Sequence, residues 1–85
     1  MMLKRTEFIA RVHIDEDTLE IWLSEQWLLP LHDEEQEAFT DADVARALLI
    51  VELQRDFGIN QQGIGVALHL LDQLHSARVR LKRAE

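Results

Sequence analysis

The side chains that could do chemistry in this chain are sixteen carboxylates and four histidines, and cysteine is absent. No histidine pair has a metal-binding spacing such as HxxxH or HExxH, so we expect surface or interface residues at His13, His32, His69 and His75. No catalytic triad order, nucleophile elbow or glycine-rich phosphate loop is present. The sequence therefore predicts a protein that is not an enzyme, with no catalytic, metal-binding or cofactor-binding residues.

The carboxylates are concentrated in the first half of the chain. Residues 1–45 hold twelve acids against three bases, a net charge of −9, whereas residues 46–85 hold four acids against six bases, a net charge of +2. An acidic surface repels phosphate and attracts basic proteins. Simple solubility is the other explanation of such a surface, and composition alone does not separate the two.

Length and composition indicate one small folded domain. A hydrophobic content of 47% in 85 residues is too high for a disordered chain. A chain of this size buries only about 60–65% of its unfolded surface, so a partner would add stability. No signal peptide or membrane-spanning run is present, and the lack of cysteine permits a reducing compartment, so we expect a cytoplasmic protein.

Three helix starts carry the same pattern, in which an apolar residue precedes a capping residue and another apolar residue follows four places after the cap. The capping residues are Asp15, Thr40 and Asn60. Residues 31–38 are expected to form a loop or a weak hairpin, and residues 1–5 a short strand or a tail. The predicted helices are Thr6 to about Val12, Asp15 to about Gln26, Asp41 to Asp56 as the central core helix, and Gln61 to Arg83.

The last of these helices organises the rest of the chain. At ~1.5 Å per residue it would be about 35 Å long, which is more than a domain of this size covers alone. It is either a core helix whose end frays in water or a dimer helix, which we favour. Gly63 and Gly65 indicate either a frayed helix start or the close approach of another helix. The residues expected at a dimer interface are Ile64, Ala67, Leu68, Leu71, Leu74, Arg78 and Leu81.

The order and spacing of several motifs resemble a known family. The chain resembles a MerR-like winged helix-turn-helix in the segments Thr18-Leu19-Glu20-Ile21-Trp22, Leu28-Leu29-Pro30, Phe39-Thr40-Asp41-Ala42-Asp43-Val44 and Phe57-Gly58-Ile59. That resemblance implies a mainly α fold of about four helices, a wing that is a loop or a small β-hairpin, and a long C-terminal helix that pairs with its mate as an antiparallel coiled coil. We expect one domain over residues 1–85, with the helix-turn-helix and wing at 6–39, a core helix at 40–58 and the dimer helix at 60–84.

The last segment resembles a narrower group. Residues 63–72, together with the opening Thr6-Glu7-Phe8, are similar to the chaperone-modulatory protein family (CbpM). That resemblance implies a homodimer that binds the J-domain of a DnaJ-like co-chaperone of the curved-DNA-binding-protein-A type. It implies that the protein inhibits the work of this co-chaperone with the Hsp70 chaperone DnaK, and that it is not a DNA-binding activator.

The charge of the second helix favours a protein partner over DNA. A DNA-reading helix and wing need Arg or Lys to contact phosphates and base edges. Residues 15–26 contain no Lys or Arg, Glu20 stands where MerR-type DNA binders usually carry Arg, and residues 31–39 contain four acids and no base. The same face suits the basic surface of a J-domain. A MerR-like DNA-binding transcriptional regulator is the alternative function, and a small adaptor with another partner is a third.

The expected partner-binding residues are acids that supply charge and apolar side chains that supply an anchor. Trp22 is assigned to the core, whereas Trp27 has both a core and an anchor interpretation; aromatic anchors usually dominate affinity and rim charges set the encounter rate. The basic residues near the end of the last helix are assigned to its negative dipole end. The expected J-domain contacts are Asp17, Glu20, Glu25, Trp27, Leu31, Asp33, Glu34, Glu35 and Glu37.

Overall fold

The chain forms four helices and a two-stranded hairpin within the residues that the computed structural model describes, 2–34 and 36–84. The order of these elements, with a long helix at the end, confirms the mainly helical fold expected from the sequence. The elements are α1 Arg5–Val12, α2 Glu16–Ser24, β1 Leu31–Asp33, β2 Gln36–Ala38, α3 Asp41–Asp56 and α4 Gln61–Ala84.

Side-chain caps begin the three later helices at the residues that the sequence marked. The Asp15 carboxylate accepts a backbone N–H from the first turn of α2 at 2.8 Å. Thr40 and Asp43 cap each other: Thr40 Oγ1 accepts the Asp43 N–H at 3.2 Å, and the Asp43 carboxylate accepts the Thr40 N–H at 2.9 Å. Asn60 Oδ1 accepts the Gly63 N–H at 2.8 Å. Each cap satisfies a backbone donor that has no partner inside its own helix.

Several helix ends differ from the expectation by one or two residues. α1 begins at Arg5, one residue earlier than expected. α2 ends at Ser24 rather than near Gln26, because Gln26 takes the left-handed conformation with φ 60°. The Trp27 N–H then donates back to the Trp22 carbonyl at 2.9 Å. This closure is a Schellman motif, so a local backbone turn, and not the later proline, ends the helix.

The hairpin is an antiparallel pair that is extended by the N-terminal segment. Leu31 of β1 faces Ala38 of β2 across the pair. Beyond β2, Leu3 and Phe39 exchange two backbone hydrogen bonds, each of 2.8 Å. The start of the chain is thereby joined to the end of the hairpin, next to the start of α1. Outside the described residues lie Met1, Glu85 and the expected J-domain contact Glu35.

The hydrophobic core lies where the helices meet the end of the hairpin. Phe8 of α1 stacks on Phe39, with ring centroids 4.2 Å apart and an angle of 17° between the ring planes. Trp22 is buried as expected, whereas Leu48 of α3 is exposed, so the core uses only part of the apolar surface of α3. The buried apolar side chains are Phe8, Val12, Leu19, Trp22, Trp27, Leu28, Phe39, Val44, Ala47, Ile50, Ile64 and Leu68.

The two glycines at the start of α4 have different surroundings. A Cβ on Gly63 would lie 2.6 Å from Cγ2 of Ile59, which is closer than such atoms approach. The segment that excludes a side chain at Gly63 is therefore the turn just before α4, and not another helix. A Cβ on Gly65 would lie 3.8 Å from Nε1 of Trp27, an ordinary contact distance. Only Gly63 is required by a close approach.

Candidate functional site

Exposed carboxylates lie on α2 and on the hairpin. Along α2, the buried Leu19 and Trp22 face the core, and the opposite side is exposed. That exposed side contains acids and Ile21 but no base. We call the following carboxylates the acidic face: the exposed Glu16, Asp17 and Glu20 of α2 and Asp33 and Glu34 of the hairpin, together with the half-buried Glu37.

One arginine joins the two parts of the acidic face. The Arg5 guanidinium donates to Glu37 of β2 at 2.6 Å and to Glu16 of α2 at 2.8 Å, and its third hydrogen bond goes to Glu20. The hydrogen bond that Arg5 donates to Glu37 is the largest of the contacts that raise the pKa of Arg5 above its ordinary value. The planar guanidinium suits several carboxylates at once. Arg5 therefore fixes the start of α1, the first turns of α2 and the hairpin relative to one another.

The pairing with Arg5 leaves the acidic face negative. Three carboxylates share one positive charge, and the side chains of Glu16 and Glu20 remain 51% and 64% exposed. Arg5 itself is only 26% exposed. Sequence reasoning missed Arg5 and Glu16, because no spacing in the sequence indicates that residues 11 and 32 positions apart meet.

The apolar residues beside this face differ from the expected pair. Leu31 is 53% exposed, as an anchor requires. Trp27 is 6% exposed, so its indole ring belongs to the core and is not a surface anchor. The turn after α2 holds it there, and Nε of Arg46 donates to the Trp27 carbonyl at 2.5 Å. Ile21, which was not among the expected contacts, is exposed on α2 instead. Leu29 is also exposed, but it lies near Asp43, Arg46 and Asp72 and not at the acidic face. Ile21 directly precedes Trp22 on α2. Because Trp22 was assigned to the core, the helical pattern could have indicated that Ile21 points away from it.

Glu25, the remaining acid expected at the site, lies apart from the acidic face. It follows the last turn of α2, and its carboxylate accepts from Nε2 of Gln61 at 3.2 Å. Gln61 is the first residue of α4. Glu25 therefore belongs to the surface where α2 meets α4.

The expected dimer residues divide into two groups. Ile64 and Leu68 are buried in the core of their own chain, so they are corrected to intramolecular contacts. Leu71, Leu74, Arg78 and Leu81 are exposed, and Ala67 is half-buried. The core uses the side of α4 that carries Ile64 and Leu68. A second apolar side of the helix points away from the core. We call this outward side the α4 seam; it consists of Gly63, Ala67, Leu70, Leu74, Ala77 and Leu81, in alternating steps of four and three.

A bidentate ion pair sets the position of α4. Both terminal nitrogens of Arg46 on α3 donate to the Asp72 carboxylate of α4, at 2.8 and 3.0 Å. This hydrogen bonding lowers the pKa of Asp72 below its ordinary value. Since Arg46 also binds the Trp27 carbonyl, it fixes α3, α4 and the turn after α2 together. The seam is thereby held on the outer side of α4.

An open cavity lies between the end of α2 and the first half of α4. Its volume is about 810 Å³, and Glu25, Gln61 and His69 are among the residues that line it. Beyond this cavity the exposed surface belongs to α4 alone, from His69 to Arg80.

The described residues contain neither a metal-binding cluster nor a membrane-spanning helix. Residues 2–34 and 36–84 contain no group of three or more His, Asp or Glu side chains that could hold a metal ion. Over the same residues, every helix is too short or too polar to cross a bilayer.

The order of the helices and the hairpin fits a winged helix-turn-helix domain, with α2 in the recognition position and the hairpin in the wing position. The family model described as MerR HTH family regulatory protein matches residues 3–84, nearly the whole chain. The chain therefore belongs to the MerR helix-turn-helix family. No curated protein matches the chain.

Proposed function

We propose that this MerR-family domain is a modulator of a DnaJ-like co-chaperone of the curved-DNA-binding-protein-A type. The acidic face binds the basic J-domain and blocks its action with DnaK. The observation that carries the proposal is the surface of α2, which exposes Asp17 and Glu20 in the recognition position and contains no base. The resemblance of residues 63–72 to the chaperone-modulatory proteins supports the same partner.

Charge and apolar contact have separate roles in this proposal. The carboxylates speed the encounter with a cationic surface and set its orientation, and their effect weakens as salt screens them. Leu31 of the hairpin and Ile21 of α2, at 53% and 45% exposed, supply the apolar area that slows dissociation. The protein acts by binding, without a catalytic step, and in the cytoplasm, where DnaK and its co-chaperones work.

The alternative is a DNA-binding transcriptional regulator, which the family membership favours. DNA would have to approach α2 and the hairpin, where each carboxylate near a phosphate would add a repulsion of about 1 kcal/mol at ~4 Å even in bulk water. The basic residues of the chain are concentrated instead at the end of α4, among them Arg78, Arg80, Lys82 and Arg83. We therefore prefer the protein partner.

The proposal includes a homodimer formed through the α4 seam. Leu70 and Leu81 of the seam are 58% and 66% exposed, which is unusual for large apolar side chains repeated at heptad spacing. A second copy would cover them.

Calorimetric titration of the J-domain into the protein tests the proposed function. We expect saturable binding, and a loss of J-domain-stimulated DnaK ATPase activity as the protein is added. An absence of heat of binding at about 50 μM of each partner, an affinity range typical of weak complexes, would contradict the proposal. A mobility-shift assay at low salt tests the alternative, since tight, sequence-selective DNA binding would favour it.

A further inference from the structure

The hydrogen bonds that link the hairpin to α2 all pass through Arg5 in the part of the chain that the structure describes. Its guanidinium donates to Glu37 of β2 and to Glu16 and Glu20 of α2. A backbone bridge to the N-terminal segment holds only the base of the hairpin. Because a two-stranded hairpin alone is marginally stable in water, its position relative to α2 depends on these contacts of Arg5.

Arg5 is placed to act on a partner indirectly. Its side chain is only 26% exposed, and each of its three nitrogens already donates to a carboxylate. The carboxylates of Asp17, Asp33 and Glu34, by contrast, are exposed and form no hydrogen bond or ion pair within the described residues. These three acids are therefore available to a cationic partner, whereas the acids held by Arg5 form the frame beneath them.

The charge of Arg5 and its position have opposite effects on a basic partner. The six carboxylates of the acidic face and this one guanidinium have a net charge of −5, which becomes −6 without Arg5. Attraction by charge alone would therefore strengthen when Arg5 is removed. A hairpin that is no longer held against α2 must instead be ordered when the partner binds, which weakens binding. Since salt screens the added charge but leaves the cost of ordering unchanged, the second effect should prevail at physiological salt.

We propose that Arg5 is a positioning residue for binding of the J-domain. Without touching the partner, it holds the hairpin against α2, so that Asp17 of α2 and Asp33 of the hairpin contact the cationic surface together. This inference rests on the proposed function and adds the residue that preorganises its binding surface.

Calorimetric titration of the J-domain at about 150 mM salt, close to the physiological ionic strength, tests the role of Arg5 with two variants. Arg5→Met should raise the Kd at least about fivefold, although it makes the acidic face more negative. Arg5→Lys keeps the charge, but one ammonium group does not match three carboxylates as a planar guanidinium does, so the Kd should rise about twofold or more. Because Arg5→Lys leaves the net charge unchanged, its loss of affinity measures geometry alone.

Two controls separate positioning from charge and from stability. Arg11→Met removes the same charge from an exposed position on α1, and the Kd should be unchanged or slightly lower. Thr40→Ala destabilises the chain at the start of α3, away from the acidic face, and should leave the Kd unchanged. Circular dichroism verifies that each variant is folded at the temperature of the titration.

A double-mutant cycle provides a measurement that a purely structural role of Arg5 would not change. Asp33→Asn is introduced into the wild type and into Arg5→Met, and the J-domain Kd is measured for all four proteins. If Arg5 positions the hairpin, Asp33→Asn should raise the Kd less in Arg5→Met than in the wild type. If Arg5 acts only on stability, the two fold-changes should multiply, as they do for independent sites.

Three results would overturn the inference while the wild type binds the J-domain: Arg5→Met with the Kd of the wild type or a lower one, Arg5→Lys with the Kd of the wild type, or fold-changes that multiply in the cycle. A wild type that does not bind the J-domain would contradict the proposed function, and this inference with it. Titration of the wild type therefore distinguishes the two failures.

Discussion

The guanidinium of Arg5 and the carboxylate of Glu37 are joined across 2.6 Å, and this contact connects the first helix to the hairpin. Both side chains are mostly buried, 26% and 23% exposed, so solvent screens the pair less than an ordinary surface ion pair. Because Arg5 also binds two carboxylates of α2, a single cation determines how the hairpin and α2 present their acids. The surface proposed to bind a basic partner thus contains its own internal cation.

Replacing Arg5 by Met should destabilise the fold. The change leaves three neighbouring carboxylates without their cation, and we expect a loss of roughly 1–2 kcal/mol in the free energy of unfolding, at the low end at high salt. Urea denaturation at two salt concentrations measures the loss. Arg11→Met, on the same helix and exposed, is the control and should cost only a few tenths of a kcal/mol, about the size of a helix-dipole effect. Equal losses for the two variants would show that the Arg5 cluster contributes no special stability.

The ion pair between Arg46 and Asp72 should make stability depend on pH on the acid side. The pKa of Asp72 is lower in the folded chain than its ordinary value of 3.8, because Arg46 stabilises the carboxylate. The contribution is therefore complete above about pH 4 to 5 and is lost as the pH falls through the lowered pKa.

Asp72→Asn should remove this contribution. We expect the free energy of unfolding at pH 7 to fall by roughly 0.5 kcal/mol, a small loss because the carboxylate is largely exposed. The difference from the wild type should shrink as the pH falls toward 3, which denaturation curves at pH 7, 5 and 3 measure. Asp56→Asn on α3 serves as the control for the change in charge. A difference that stayed constant with pH would rule out the ion pair as its source.

The two glycines of α4 should respond to alanine in opposite ways. Alanine favours a helix over glycine by about 1 kcal/mol. At Gly65 nothing opposes that gain, so Gly65→Ala should raise the free energy of unfolding by up to about 1 kcal/mol. At Gly63 the new Cβ would overlap the branched side chain of Ile59 at 2.6 Å, so Gly63→Ala should be neutral or destabilising. Thermal denaturation compares the two, and an equal gain at both sites would contradict the close approach.

The reciprocal cap at the start of α3 should contribute about 1 kcal/mol to the free energy of unfolding. Thr40→Ala removes the hydroxyl that accepts the Asp43 N–H and leaves that donor without its partner in the folded chain. Thr6→Ala is the matched control, because Thr6 lies in the first turn of α1 and makes no side-chain cap there. Urea denaturation should show a loss for Thr40→Ala and little change for Thr6→Ala. The reverse order would contradict the assigned caps.

The sequence predicted the parts of the fold that depend on local patterns. The caps at Asp15, Thr40 and Asn60 place three helix starts correctly, since a cap and its helix are neighbours in the chain. The end of α2 was not predicted, because Gln26 adopts a left-handed conformation that glycine usually takes. The long last helix was predicted from its uninterrupted apolar pattern.

The candidate site depends on contacts between distant segments, and there the sequence was less informative. Two apolar stripes run along α4, and the pattern alone did not show which of them packs on the core; Ile64 and Leu68 were therefore assigned to the wrong side. The sequence left Trp27 with both a core and an anchor interpretation. The backbone turn after α2 places its side chain in the core. Asp17, Glu20, Asp33 and Glu34 are exposed as their charge required, but the connection of α2 to the hairpin through Arg5 needs the folded chain.

The most direct test of the proposed function reverses charge on the acidic face and measures the affinity for the J-domain. The double variant Asp17→Lys/Asp33→Lys changes one exposed acid on α2 and one on the hairpin, and neither acid belongs to the Arg5 cluster. Glu52→Lys/Asp56→Lys makes the same change of net charge on α3 and is the control.

Calorimetric titration at about 20 mM salt should show J-domain binding weakened by about tenfold or more for the first variant and unchanged for the control, with the difference shrinking at about 300 mM salt. Equal affinity of the wild type and Asp17→Lys/Asp33→Lys at low salt would contradict an acidic binding face.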